Sequence, residues 1–275
     1  MSETLARATA RLAAAGIASP RVDAELLLAH ALRVPRSRLV LVEPDAAALE
    51  AFEGMLARRE TREPLQHIVG TAPFRHIEIP VGPGVFVPRP ETELLIDAVL
   101  DDLRAVAAPV AVDLCSGSGT LALAIADEVP AARVVAVEQA GEAASWLARN
   151  ATGTRVEPLV ADVRDPHLLP ELRGAVDVVV ANPPYVPSRV EVSPEVRADP
   201  PDAVCAGPDG RALMPSVIAR AAELLRPDGV FAVEHDDSHG TAVPALLRAD
   251  GRFTAVTAHR DLAGLPRFAT ARRAR

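Results

Sequence analysis

The sequence predicts an α/β protein, a mostly parallel sheet wound with helices and preceded by a small all-helical domain. Three observations lead there. Short β-branched runs at Val110–Leu114 and Val176–Ala181 have the composition of strands buried on both faces. They alternate with Ala- and Leu-rich stretches of helical length. Several of them stop at an acidic or amide side chain, all at the same end, which is the carboxyl edge where parallel sheets bind ligands.

At 275 residues the chain exceeds the usual size of one domain. The division expected is a helical domain at 1–72, a β-hairpin linker at 73–89 and a larger domain at 90–275. With 49% hydrophobic and 24% charged residues the chain can bury a proper core, so disorder is excluded. The formal net charge of −8 counts against a protein whose main work is gripping phosphate backbones. All 29 basic residues are Arg, which reads as a compositional bias of the source. Cys115 and Cys205 are too few and too far apart for a disulfide framework or a cysteine metal site, and a reducing cytoplasm fits them. No leader pattern opens the chain, and no run approaches the roughly 18 uninterrupted apolar residues a membrane span needs, so neither export nor insertion is expected.

In chain order, Ser19-Pro20 reads as an N-cap with proline at the first helical position, followed by a face of Val22, Leu26, Ala29 and Leu32. Asp45 caps a helix with Leu49, Phe52 and Leu56 on its apolar side. Over 73–87 the period shifts toward two, and Gly82-Pro83-Gly84 marks the expected hairpin turn. Pro88-Arg89-Pro90-Glu91-Thr92-Glu93 then leads stiffly into a helix with acids in its first turn. Arg89, fixed between prolines, is a candidate to brace the site or the substrate.

Val110–Leu114 runs directly into Cys115-Ser116-Gly117-Ser118-Gly119-Thr120 and a helix, the strand, glycine turn and helix start of a cofactor cradle. Gly117, Gly119 and Ala122 satisfy a dinucleotide fingerprint, with Glu138 where a ribose-binding acid belongs, so NAD is one reading. Two features pull away from it. Asp113 places a carboxylate at the cradle, which suits a ligand carrying an ammonium and a sulfonium better than a pyrophosphate. A third strand at 155–161 ends at Asp162, able to accept from an adenine amino group. The fourth strand ends in Asn182-Pro183-Pro184-Tyr185, where two prolines stop the ladder and hold an Asn and the chain's single Tyr on a stiff loop. The Asn oxygen and the Pro183 carbonyl can accept both hydrogens of a planar amide or amino group while the Tyr ring stacks on it.

Residues 187–210, with seven prolines or glycines and little periodicity, are a candidate flap over the site, and the sequence does not decide whether they move. A helix over 211–225 closes at Arg226-Pro227-Asp228-Gly229, and strand 230–233 runs into Glu234-His235. His235 and His239 lie four apart but follow a strand and lack a third ligand, so no metal is expected. A helix near 241–249 and strands near 253–258 and 267–271 finish the chain.

The PRPETE stretch, DLCSGSG, NPPY, Glu234-His235 and the closing RDLAGLPRFATAR together resemble the release factor glutamine methyltransferases, the PrmC/HemK family. Residues 64–93 are similar to that family's linker almost throughout, and the helical N-terminus to its substrate-docking domain. The resemblance implies a Rossmann-like class I methyltransferase domain with a seven-stranded, mostly parallel sheet and S-adenosyl-L-methionine as cofactor. It implies methylation of the side-chain nitrogen of the glutamine in the Gly-Gly-Gln loop of class I peptide chain release factors, with no direct nucleic acid or membrane binding. Asn182, Pro183 and Tyr185 are then catalytic, with Pro184 and Arg89 beside the substrate. Asp113, Cys115, Ser116, Gly117, Ser118, Gly119, Glu138, Asp162, Val163 and Asn182 line the cofactor. Cys115 and Ser116 stand where many members have Gly and Thr, Val163 where an aromatic residue is frequent, and Asp236 and His239 where Gly and Gln are frequent. Amino-methylation of adenine in nucleic acid or of a ribosomal protein glutamine uses the same NPPY and is the alternative activity. A cofactor-binding interaction module is the non-enzymatic one.

Overall fold

A computed structural model describes residues 2–275. The chain divides into two compact units, one of residues up to Thr71 together with Val192–Ala198, the other of Ala72–Glu191 with Asp199–Arg275.

The smaller unit is built from helices α1 (Ser2–Ala14), α2 (Pro20–Leu32), α3 (Ala46–Glu60) and α4 (Leu65–Val69). Asp45 caps α3 as its position predicts, accepting the Ala48 N–H at 2.8 Å. Ser19 makes no such bond ahead of α2. The face of α2 meets expectation only in part: Ala29 is buried, but so are Ala24, Leu27 and Leu28, while Val22 is exposed. The segment LLLAHAL is apolar nearly all round, so its period selects no stripe, and packing against α1 and α3 decides instead. Leu5, Leu12, Leu27, Phe52 and Leu56 form the centre of this core. Arg59, buried beside it, pairs with Asp23 at 2.8 Å and with Glu195 at 3.0 Å, and Glu195 also takes Arg62 at 2.6 Å. The Arg62 hydrogen bond, with Arg59 behind it, holds the Glu195 carboxyl down to about 2.

The larger unit opens with the hairpin β1 (Thr71–Phe74) and β2 (Ile77–Pro80). Its turn is at Arg75-His76, with Arg75 left-handed at φ 51°, and not at Gly82–Gly84. Those glycines serve a close approach instead: a Cβ on Gly82 would lie 2.8 Å from the Trp146 ring. Phe74, Ile79, Val81 and Val85 enter the core of the unit, so the stretch read as a linker is packed.

The main sheet comprises β3 (Val110–Leu114), β4 (Arg133–Glu138), β5 (Val156–Val160), β6 (Val176–Ala181), β7 (Leu225–Glu234), β8 (Phe253–Arg260) and β9 (Pro266–Arg273). Its order is β5-β4-β3-β6-β7-β9-β8, seven strands of which only β9 runs against its neighbours. Helices α5 (Glu93–Asp97), α6 (Leu100–Arg104), α7 (Thr120–Glu128), α8 (Gly141–Ala151), α9 (Pro201–Val204), α10 (Met214–Leu224) and α11 (Ala242–Asp250) complete the unit. Strand β6 shows why the sheet is covered twice. Val178 and Val180 join one core with Leu95 and Leu121, while Val179 and Ala181 join the other with Val217 and Leu247. Each valine so withdrawn from water contributes about 1.5–3 kcal/mol before conformational entropy is set against it.

Two boundaries depart from the sequence reading. Arg226-Pro227-Asp228-Gly229 lies inside β7 rather than before it, absorbed as an irregularity where the β6–β7 register shifts and Asp228 turns to φ 64°. Residues 187–210 are not one loose flap: Val186 bridges Cys205, Ser188 N–H donates to the Gly207 carbonyl at 2.9 Å, and α9 lies between.

Candidate active site

Register brings the strand ends together. Leu114 is level with Ala181 on one side and Val137 on the other, Glu138 with Val160, and Ala181 with Val233. The next residues along are Cys115, Asn182 and Glu234, so the glycine turn and the Asn-Pro-Pro-Tyr turn leave adjacent strands at the same level. The chain goes from β3 outward to β4 on one side and to β6 on the other, and this reversal opens the crevice.

In the cradle, Asp113 is buried at the end of β3. Its Oδ2 accepts from the Ser116 hydroxyl and from the Ala122 N–H at 3.2 Å, while Oδ1 is buried without a partner. Burial pushes its pKa up to about 7 against the lowering effect of those two donors, and the Glu138 charge adds to the rise. Glu138 accepts the Gly117 and Ala140 N–H groups, both at 2.8 Å, and thereby holds the loop. Cys115 takes a left-handed φ of 63°, where glycine is at home. Its thiol is pushed up by burial and then by the charges of Glu138, Asp113 and Asp162, so it stays protonated, and the three acids converge on one place. A Cβ on Gly117 would meet nothing within 4 Å, leaving that backbone open to a ligand.

A buried carboxyl oxygen with no partner and three converging acids fit a ligand bearing an ammonium and hydroxyls. They do not fit a pyrophosphate, so the NAD reading fails on charge. Asp162 is engaged by Arg164, whose Nη2 lies 2.7 Å from Oδ2, and this pairing keeps its carboxyl below the usual range. Val163, expected against the cofactor, has its side chain in the hydrophobic core with Leu168 and Leu172.

At the acceptor turn, Asn182 Nδ2 donates to Thr92 Oγ1 at 3.2 Å, which leaves Oδ1 as the acceptor a substrate N–H can use. The Tyr185 phenol donates to Glu234 Oε1 at 2.8 Å, and the Tyr185 and Val186 N–H groups both donate to the Val204 carbonyl. Burial, with the Glu234 charge next, raises the phenol well above its ordinary value. The Arg89 guanidinium pairs with buried Asp199 and lies over the Phe86 ring at 4.8 Å. Asp199 also accepts the Val87 N–H at 3.1 Å, and burial raises it to about 6 against the pull of Arg89.

Asp236 caps the short turn over Asp237–His239, accepting the Ser238 N–H at 3.0 Å. His239 binds the Asp209 carbonyl at 2.9 Å. Among the described residues no group of three or more His, Cys, Asp or Glu side chains stands where it would hold a metal. Sequence reasoning missed Thr92, Asp199 and Glu234 as partners of the site. The signal available was Glu234 itself, a lone acid at the end of an apolar strand.

Residues 3–70 match the family model described as the PrmC N-terminal domain, and residues 79–197 the methyltransferase small domain. The chain is 55% identical to the release factor glutamine methyltransferase of Mycolicibacterium smegmatis over 97% of this chain and 95% of that one. It is 49% identical to the protein of the same name in Mycobacterium leprae, over 97% and 94%. At 43% identity over 92% of this chain and 89% of the other it also resembles a 4-amino-L-phenylalanine/4-methylamino-L-phenylalanine methyltransferase of Streptomyces pristinaespiralis. Among solved structures, the T. thermophilus 16S rRNA methyltransferase RsmC, in complex with AdoMet and guanosine, superposes with a TM-score of 0.53 at 23% identity. That match covers 74% of this chain and 49% of the other and speaks to fold alone.

Proposed function

The chain belongs to the release factor glutamine methyltransferase family, and on that premise we propose that it methylates the glutamine side-chain nitrogen in the Gly-Gly-Gln loop of class I peptide chain release factors. It is an S-adenosyl-L-methionine-dependent methyltransferase. When bound, that cofactor supplies an electrophilic methyl group on a sulfonium sulfur.

The residues account for the rest. Asp113 Oδ1 would take the cofactor's ammonium, Glu138 its ribose hydroxyls and Asp162, with Arg164 displaced or shared, its adenine amino group. An amide nitrogen is a poor nucleophile because its lone pair is delocalised into the carbonyl, so positioning must supply much of the rate. Asn182 Oδ1 and the Pro183 carbonyl would accept both N–H hydrogens, aim the nitrogen across the crevice and favour the positive charge that grows on it as the N–C bond forms. Tyr185 and Pro184 would pack the glutamine side chain, and the proton is lost to water after transfer. The observation that carries this is the register, which sets Asn182 and the cradle on neighbouring strand ends at one level. No helix among the described residues is long and apolar enough to cross a membrane, and a substrate that works on the ribosome would place the enzyme in the cytoplasm.

The test is methyl transfer from labelled cofactor to a release factor, comparing the native loop with its Gln→Ala variant and the enzyme with Asn182→Ala. A gain of one methyl on that glutamine, lost in both variants, is the expected result. The Streptomyces pristinaespiralis relative favours one second reading, methylation of an amine on a small aromatic amino acid. Transfer to 4-amino-L-phenylalanine with none to the release factor would select it.

A further inference from the structure

We propose that Glu234 is a positioning residue for methyl transfer, a buried anchor that fixes Tyr185 directly and Asn182 by way of Thr92. The inference rests on the Asn-Pro-Pro-Tyr turn being the acceptor site. Glu234 ends β7, the strand beside β6, and it is wholly buried. A carboxylate there is expensive unless it organises something, because burial disfavours its charge. What it organises is visible directly at Tyr185. Oε1 takes the Tyr185 phenol at 2.8 Å. Thr92 accepts from Asn182 Nδ2, so its own hydroxyl hydrogen is free to point elsewhere, and the Thr92 hydroxyl is the foremost group lowering the Glu234 pKa against burial. The second carboxylate oxygen, Oε2, is buried with no hydrogen bond of good geometry, which leaves it to receive that hydroxyl with a small rotation.

One carboxylate thus stands behind the two side chains that would receive the substrate. Their backbones are already stiffened by the prolines, but side-chain torsions remain, and these are what Glu234 removes. An aromatic ring and an amide held by hydrogen bonds reach the reactive geometry without first losing rotamer freedom.

The chain has a single tyrosine, so Tyr185 can be watched alone. Fluorotyrosine incorporated into the full chain gives one fluorine resonance, which Glu234→Gln and Glu234→Ala are expected to shift, and broaden in the alanine variant. With release factor as acceptor, Glu234→Ala is expected to lower kcat by about 10- to 100-fold while KM for the protein substrate changes far less. Glu234→Gln, which keeps an acceptor oxygen, recovers part of that loss. In a Tyr185→Phe background the same Glu234→Gln change costs less than in the wild type, because the two act as one unit. Should Glu234→Ala fail to fold, the isosteric glutamine variant carries the test. An unmoved resonance, or strictly additive effects of Glu234→Gln and Tyr185→Phe, overturns the proposal. A wild-type enzyme that leaves the release factor unmethylated counts against the substrate reading alone; the fluorine resonance of Glu234→Gln then decides the anchor, a shift supporting it and no shift overturning it.

Discussion

The Asn182 side-chain amide gives its hydrogen to the Thr92 hydroxyl at 3.2 Å, across a sequence separation of 90 residues. An amide has one donor end and one acceptor end, so fixing the first orients the second. The PRPETE turn therefore does more than start a helix: it sets which way the Asn182 amide faces. Thr92→Val, close in shape, should lower kcat about tenfold by freeing the Asn182 rotamer. Cofactor affinity, measured by calorimetry, should change far less, because Thr92 reaches the cofactor side only through Asn182.

Asp113 provides a pH test. Its folded pKa of about 7 lies above the ordinary 3.8, so between those values the folded state holds a proton that the unfolded chain has released. The stability this proton confers is fully present below the lower value and lost as pH rises through the upper one. Asp113→Asn removes the titration. The melting temperature of the cofactor-free variant minus that of the wild type should therefore climb from about pH 4 to about pH 8. A flat difference would show that the carboxyl titrates normally.

Arg89 and Asp199 make a complementary case. Arg89→Met strands a buried carboxylate, and a stranded buried charge costs roughly 3–5 kcal/mol when ionised. Asp199, already raised to about 6, rises further without its partner and takes up a proton instead. The loss of stability should be larger at about pH 8 than at about pH 5, read from urea midpoints at each pH.

Cys115 occupies a left-handed position at φ 63° in the cradle. Cys115→Gly should be neutral or stabilising by up to about 1 kcal/mol, strain relief being set against glycine's freedom in the unfolded chain. Cys115→Val, β-branched, should lose about 1–3 kcal/mol. Thermal melts of both variants check the pair.

Much of this architecture is legible in the amino-acid sequence, and the reasons are local. The buried strands announce themselves by β-branched runs, and the candidate site by residues at their ends, because a parallel sheet puts its carboxyl ends on one edge. What sequence misreads is decided by tertiary contact. The face of α2 cannot be phased from a helix apolar on nearly every side. The turn at Arg75-His76 uses a left-handed arginine where Gly82 and Gly84 advertise one, those glycines being needed for the close approach of Trp146 to Gly82 and of Glu142 to Gly84. The Asp199 partner of Arg89 lies 110 residues away, and nothing local to Arg89 announces it.

The ion pairs of Glu195 with Arg59 and Arg62 tie a piece from the middle of the chain into the helical unit, across a separation of 133 residues for Arg62. That unit is consequently unfinished when its own helices leave the ribosome. Arg59 then has Asp23 but not Glu195, and the missing carboxylate arrives only after the strands through β6 have been made. An excised N-terminal fragment would inherit the same vacancy, so the boundary at Thr71 is a poor place to cut. A loop-spanning fusion that carries residues 192–198 back to the fragment is the way to make it whole.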